Sequence, residues 1–322
     1  MSDVFLTGGS GFLGGGILRH LIRDGQRVRA LARSAESERI VTAAGAEPVR
    51  GDLLEPSGWQ EALEGCSLVF HVAGEVAMCD PSRMAVNVAG TAAIMGAAAK
   101  ARVPRVVFTS SAATIGEARG EVGTERTRHT GEFLSAYARS KHEAEVLAFS
   151  EGSRLGIEVV SVNPSSVQGP GRTHGSARIF IGYLQGRLRW AVRTRLPLVY
   201  IDDAAAAHAL AATRGRPGER YLISGWHPTV EEAIELLAEV GGVDNRVRYL
   251  PWWMLTAGAA AVETLWRLVG RVPPYCRAMA REVRHGHQFD GSKAERDLGL
   301  VYTPPETWLA ETVGWYRAEG VV

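Results

Sequence analysis

Glycines separate a strand from a helix near the start of this chain, and their spacing constrains the fold of the whole. In residues 3–33, DVFLTGGSGFLGGGILRHLIRDGQRVRALAR, the apolar run Val4-Phe5-Leu6 reads as a buried strand. Thr7-Gly8-Gly9-Ser10-Gly11-Phe12-Leu13-Gly14 comes next. Phe12, Leu13, Ile17, Leu18, Leu21 and Ile22 then recur at helical spacing, Gly25 stands where a helix C-cap would, and residues 28–31 form a second strand. Strand, glycine turn, helix, strand is the opening βαβ unit of a dinucleotide-binding fold. Gly8 permits the tight turn, Gly11 leaves room for a pyrophosphate, and Gly14 lets the helix pack closely on the strand. The helix N-terminus offers unpaired N–H groups and a positive dipole end to the phosphates. The spacing is G-x-x-G-x-x-G, one residue longer than the commoner G-x-G-x-x-G.

The end of the second strand selects the nucleotide. NAD enzymes usually place Asp or Glu there, to accept hydrogen bonds from the ribose hydroxyls. Here the strand ends Leu31-Ala32-Arg33-Ser34, without an acid. The guanidinium fork of Arg33 suits a 2′-phosphate. NADP(H) is therefore the preferred cofactor, with NAD(H) as the other candidate.

Strands and helices keep alternating. Residues 48–50, 68–72, 106–109 and 158–162 read as strands, and 86–101 and 135–150 as helices. That order predicts an α/β fold: a doubly wound parallel (Rossmann) sheet with ligands at the carboxyl ends of its strands, and a smaller C-terminal substrate lobe. The rhythm changes after Pro164. The expected division is a dinucleotide-binding domain of residues 1–164 plus about 198–224, and a substrate-binding lobe of residues 165–197 plus 225–322. The 322 residues suffice for this; 46% are hydrophobic and 22% charged, and the net charge of +1 argues against a nucleic-acid partner. Cys66, Cys79 and Cys276 form no C-x-x-C and are odd in number, which predicts reduced thiols in the cytoplasm. No signal peptide and no membrane span is expected; the apolar stretch 250–269 is broken by Glu263 and Arg267. His174, His208, His285 and His287 lack metal-ligand spacing, so no metal is expected and structural or solvent-exposed roles are the default.

Tyr137-Ala138-Arg139-Ser140-Lys141 places a phenol and an ammonium four residues apart on one helical face. The ammonium is expected to lower the phenol's pKa, so that Tyr137 can give a proton to a carbonyl oxygen or take one from an alcohol. Ser111, at the end of the fifth strand, is placed to hydrogen-bond the same oxygen, and Lys141 to hold the nicotinamide ribose.

Taken together, these motifs resemble an extended (atypical) short-chain dehydrogenase/reductase of the NAD-dependent epimerase/dehydratase superfamily. The residues that carry the resemblance are TGGSGFLGG at 7–15, GDL at 51–53, FHVAG at 70–74, NVAGT at 87–91, FTSSAA at 108–113, YARSK at 137–141, NPSSVQGPG at 163–171, YIDDAAAAH at 200–208 and FDGSKAERDLG at 289–299. The resemblance implies Ser111, Tyr137 and Lys141 as catalytic residues. It also implies Phe12 and Leu13 beside the cofactor, Asp52 and Leu53 at the adenine, Ala73 in the cofactor loop, and Pro164 and Val167 near the nicotinamide. Asn87 matches a family asparagine, read here as a buttress. Two departures are Gly74, where relatives often carry Ala, and Ser67, where Asp often opens the fourth strand.

Within that family, Ser111 is followed by Ala112, Ala113 and Thr114 rather than an acid, which argues against sugar 4,6-dehydration. The segment 188–203 and the tail 250–299 are similar to the dihydroflavonol-reductase, 3β-hydroxysteroid-dehydrogenase-like or hopanoid-associated branch. The expected reaction is NADP-dependent reduction of a ketone, or oxidation of the alcohol, on a small, fairly apolar molecule. Two alternatives stay open: a nucleotide-sugar 4-epimerase with tightly bound NAD, favoured by Arg187, Arg189, Arg193 and Arg195 as a diphosphate site, and a non-catalytic NADP-sensing regulator. The apolar region 250–269 is open between pocket wall, homodimer contact and peripheral membrane contact. Residues 112–135, polar and glycine-containing, are expected to form a mobile lid or substrate loop.

Overall fold

A computed structural model describes residues 3–322. The first part of the chain runs β1 (Asp3–Thr7), α1 (Phe12–Arg23), β2 (Arg27–Ala32), α2 (Ala35–Ala43), β3 (Glu47–Arg50), β4 (Cys66–His71), α3 (Ala85–Lys100), β5 (Arg105–Thr109), β6 (Val122–Gly123), α4 (Ala136–Leu155) and β7 (Glu158–Pro164). It continues β8 (Ser166–Gln168), α5 (Ala177–Leu184), β9 (Trp190–Ala191), β10 (Leu198–Tyr200), α6 (Ile201–Arg214), β11 (Arg220–Ile223), α7 (Val230–Gly241), β12 (Arg248–Tyr249), α8 (Trp252–Leu268), α9 (Arg277–His285), β13 (Gln288–Phe289) and α10 (Pro305–Ala318).

Seven strands form one sheet in the order β11-β7-β5-β4-β1-β2-β3, every neighbouring pair parallel. Both faces are covered, so the strand sequences are continuously apolar. On β1, Val4 and Leu6 enter the core shared with α1 and α6, while Phe5 points into the opposite core with α3 and α4. Winding reverses between β1 and β4, and that switch point opens a crevice at the carboxyl edge of the sheet. Helix α4 extends to Leu155, beyond the expected end near Ser150. It stops where Gly156 takes up a left-handed conformation at φ 70°.

A third core gathers Phe180, Tyr183, Tyr200, Leu237, Trp308 and Tyr316 from α5, β10, α7 and α10. Trp308 is its centre, stacked on Tyr200 at 6.2 Å and edge-on to Trp226 at 5.9 Å. Several contacts tie the early and late parts of the chain. Residues 122–123 pair in parallel with 288–289. The Asp203 carboxylate accepts from the Thr303 backbone N–H at 2.9 Å and from its hydroxyl at 2.6 Å. Cys79 and Cys276 form a disulfide across 197 positions, with Cα atoms 5.7 Å apart.

That disulfide corrects the expectation of three reduced thiols; only Cys66 is free, and it is buried. Cysteine usage therefore no longer supports a reducing compartment. The loop 112–135 is also not a free lid. Ile115 and Glu117 are buried, and the loop is anchored through Val122 and Gly123 to the late strand β13. Among the described residues no helix is long and apolar enough to cross a membrane.

Candidate active site

Gly8 turns the chain at φ 76°, with its Cα close against the Ala73 backbone; a β-carbon there would lie 2.7 Å from the Ala73 nitrogen. At Gly14 the obstacle is the turn itself rather than the strand: a β-carbon would stand 2.0 Å from the Gly8 carbonyl oxygen. Gly11 caps α1 without a side-chain acceptor, so the first N–H groups of the helix are left for an anion. The turn thus fits a pyrophosphate. Thr7 braces it: its hydroxyl accepts from the backbone of Val72 and Ala73, each at 3.1 Å, and bonds His71 Nδ1 at 2.8 Å. Burial pushes His71 down to about 3, so the ring is neutral.

Arg33 lies just past β2, exposed, without a carboxylate partner among the described residues. Asp52 and Leu53 follow β3; Asp52 holds its own turn through the Leu54 N–H at 2.9 Å, and Leu53 packs beneath Gly90 of α3. Phe12 and Leu13 open α1, with the Arg172 guanidinium 5.3 Å from the Phe12 ring centre. Pro164 ends β7, and Val167 lies in β8, which pairs with β10 outside the main sheet.

Ser111 follows β5, and its Oγ accepts from the Ala113 N–H at 3.2 Å. Tyr137 stands in the first turn of α4, whose N-cap Ser135 accepts from the Ala138 N–H at 3.1 Å. The Tyr137 and Ser111 hydroxyls meet. Burial raises the phenol above its ordinary value, Ser111 and Arg172 lower it, and the Glu282 charge raises it further. Lys141 does not depress it as expected. Its Nζ donates to the Thr109 carbonyl at 2.6 Å and lies 4.8 Å from the Phe108 ring centre. Burial lowers Lys141 to about 8, against the opposing pull of Glu145. Asn87 acts as the buttress expected of it: its amide oxygen accepts from the Glu75 N–H at 2.7 Å, and its nitrogen donates to Ser140 Oγ at 2.9 Å.

The arginine run behaves as a solvated face. Arg193 pairs with Glu231 at 2.8 Å, and Arg195 donates to the His227 carbonyl at 3.1 Å. His174 is exposed. His208 is buried, its Nδ1 donating to the Ala204 carbonyl at 2.7 Å, so its Nε2 accepts from the Thr109 hydroxyl at 2.9 Å.

A model of the NAD dependent epimerase/dehydratase family matches residues 4–224. The chain belongs to that family. It is 31% identical over 334 residues to a putative dihydroflavonol 4-reductase of Synechocystis sp., covering 100% of this chain and 97% of that protein. It is 30% identical to a 2-alkyl-3-oxoalkanoate reductase of Shewanella oneidensis, covering 93% of this chain and 82% of that one. Among solved structures gox2253 superposes with a TM-score of 0.87 at 28% identity, covering both chains completely. The protein is accordingly an NAD(P)-dependent enzyme of the epimerase/dehydratase family.

Three features of this family member escape sequence reading. Glu145, one turn beyond Lys141, accepts from Asn163 at 2.6 Å and from Ser161 at 2.7 Å, which fixes the floor under Ser111 and Thr114. Its spacing, four residues after Lys141, was the available signal. Arg172, one residue past the GPG turn, carries a buried Nε without a partner beside the glycine turn. Last, Glu117, His285 and His287 bring one ligand-type atom each within 4.8 Å of one another, although these histidines carry no metal spacing in sequence. Glu117 bonds His287 Nδ1 directly, leaving no room for an ion between them, and His287 Nε2 meets Glu282 at 2.9 Å. His287 is an imidazolium between two carboxylates. Burial opposes that charge, but the bonds to Glu117 and Glu282 prevail and hold it up to about 9. Glu282 in turn accepts from the Ser135 hydroxyl at 2.6 Å, so this triad reaches the cap of the helix that bears Tyr137.

Proposed function

We propose that this enzyme is an NADP-dependent reductase of a ketone on a small, fairly apolar molecule, running in reverse as an alcohol dehydrogenase. The observation that carries the reading is the Tyr137 phenol against the Ser111 hydroxyl, one helical turn from Lys141. A phenol raised by burial is protonated at neutral pH, which suits delivery of a proton to a carbonyl oxygen. Ser111 orients that oxygen, and Lys141 stands as the cation at the ribose side. The bound nicotinamide supplies the hydride. Gly8, Gly11 and Gly14 cradle the pyrophosphate, Asp52 and Leu53 take the adenine, and Phe12, Leu13, Ala73, Pro164 and Val167 line the rest of the cofactor. Arg33, exposed at a strand end without an acid, favours the 2′-phosphate. Residues 1–164 plus about 198–224 form the cofactor-binding unit, and 165–197 plus 225–322 the substrate lobe.

Substrate polarity is read from the cavity that reaches Ala136, next to Tyr137: Met78, Pro81, Ala260 and Ala280 give it apolar wall, with Glu263, Arg267, Arg277 and Arg281 also lining it. The Shewanella relative, by its name, acts on a 3-oxo group. The test is NADPH oxidation against hydrophobic 3-oxo compounds and against keto-sugar nucleotides. Turnover on the first panel is expected to fall by about a thousandfold in Tyr137→Phe, with NADPH affinity unchanged. Activity retained in that variant, or turnover confined to sugar nucleotides, refutes the reading.

A further inference from the structure

The hairpin of α8 and α9 is built the wrong way round for a helix exposed to water. At 100° per residue, the outward face of α8 holds Trp253, Met254, Ala257, Ala261, Leu265 and Leu268, without a charged side chain. Trp253 is 68% exposed, Leu265 62% and Leu268 80%. The only charged residues of the helix, Glu263 and Arg267, lie off that face and pair with each other at 2.8 Å, Glu263 buried and Arg267 exposed at the flank. Beyond the helix the apolar surface continues through Val269, Val272 and Tyr275. A contiguous apolar patch of this kind marks an interaction site rather than ordinary surface.

Charge identifies the partner. Residues 252–285 contain five arginines and two glutamates in a chain whose net charge is only +1. Both glutamates are turned inward: Glu263 is buried, and Glu282 is held by Ser135 and His287. Arg271 and Arg284 are exposed, without a carboxylate partner among the described residues, and Arg281 is exposed in the wall of the cavity between the two helices. The surface is therefore apolar with a cationic rim and no outward anion, as on proteins that sit in an anionic lipid interface. A second copy of the chain fits poorly, since a two-fold contact would set arginine rim against arginine rim.

We propose that the outward face of α8 and the arginines flanking it dock on an anionic lipid bilayer. Docking places the hairpin at the membrane, with the cavity beneath it, between α8 and α9, reaching Ala136, the neighbour of Tyr137 in α4. A ketone dissolved in the bilayer then reaches Tyr137 under the hairpin rather than through water. This route rests on the reductase reading; the docking does not.

The experiment is flotation of the full chain with vesicles of phosphatidylglycerol and phosphatidylcholine mixed one to three, and with phosphatidylcholine alone, at low salt. Wild type floats with the mixed vesicles and far less with the neutral ones. Leu265→Glu with Leu268→Glu lowers the bound fraction about tenfold or more, and Arg271→Glu with Arg284→Glu removes the preference for the anionic lipid. These side chains face solvent, so unchanged thermal unfolding verifies that the variants are folded. The proposal is overturned by absence of flotation, by variants that float like wild type, by equal binding to both lipids, or by a sedimentation-velocity dimer that Leu265→Glu with Leu268→Glu dissolves. Flotation without ketone turnover supports docking and removes the reductase reading instead.

Discussion

Along α1, the residues Ile17, Leu18 and Leu21 are buried, and the helix fits between the sheet and α6. Along α8, Trp253, Met254, Leu265 and Leu268 lie in water, and the helix packs chiefly against α9. Both are glycine-containing segments rich in apolar residues, of 12 and 17 residues. The difference lies in their neighbours. The position of α1 is dictated by a glycine turn, a strand on each side and a helix above, so its composition is explained within the molecule. The composition of α8 is not, and a helix whose solvent face is its apolar face reports something outside the chain.

The contrast can be broken or sharpened, beginning with the tether of the hairpin. Cys79→Ser removes a cross-link across 197 positions and is expected to cost about 2–4 kcal/mol in thermal unfolding. An equal loss in wild type on adding reductant assigns it to the bond, and an unchanged midpoint in both means packing alone holds α9. At the other region, Arg33→Ala should weaken NADPH by about 1.5–3 kcal/mol and leave NADH unchanged in fluorescence titration. Equal losses on both cofactors rule out a 2′-phosphate contact.

Two glycines compare the regions directly. Gly14→Ala drives a β-carbon into the Gly8 carbonyl and should destabilise by roughly 1–3 kcal/mol while weakening the cofactor. Gly258→Ala meets nothing within 4 Å and should stabilise α8 by roughly 0.5–1 kcal/mol. If denaturant titration gives both the same sign, the distinction between a constrained and an unconstrained helix fails.

The joint between the regions is tested by its pH response. His287 is raised to about 9 in the folded chain, so its stabilising charge is present in full below about 6.5, its unfolded value, and is lost as pH rises through about 9. The unfolding midpoint of wild type should fall toward that of His287→Gln across this window. A constant gap between the two would mean that the ring is not charged.

The same contrast explains how much was legible in the sequence. The glycine turn, the alternation of strands and helices that implies a parallel sheet, and the Y-x-x-x-K helix are set by local patterns. The ending of α4 at Leu155 rather than near Ser150 turned on one left-handed glycine, Gly156, whose role depends on where β7 begins. The pairing of Cys79 with Cys276 and the meeting of Glu117 with His287 join residues far apart in sequence, and no local periodicity encodes them. The anchoring of loop 112–135 was hidden for the same reason: its polar composition is that of a loop, but its partner strand, β13, lies late in the chain. The partner of Lys141 was not legible either: helical spacing sets its proximity to Tyr137 but does not reveal that the Thr109 carbonyl takes the ammonium.

The third core carries a consequence for synthesis. Tyr200 emerges from the ribosome more than a hundred positions ahead of its stacking partner Trp308. At ordinary translation rates α5 and β10 wait on the order of ten seconds with their apolar faces uncovered, after the last strand of the main sheet has already been made. A nascent chain of this protein should therefore present chaperones with a finished first half and a sticky, half-built second one. Loss of the last fourteen-residue helix should leave that state permanent.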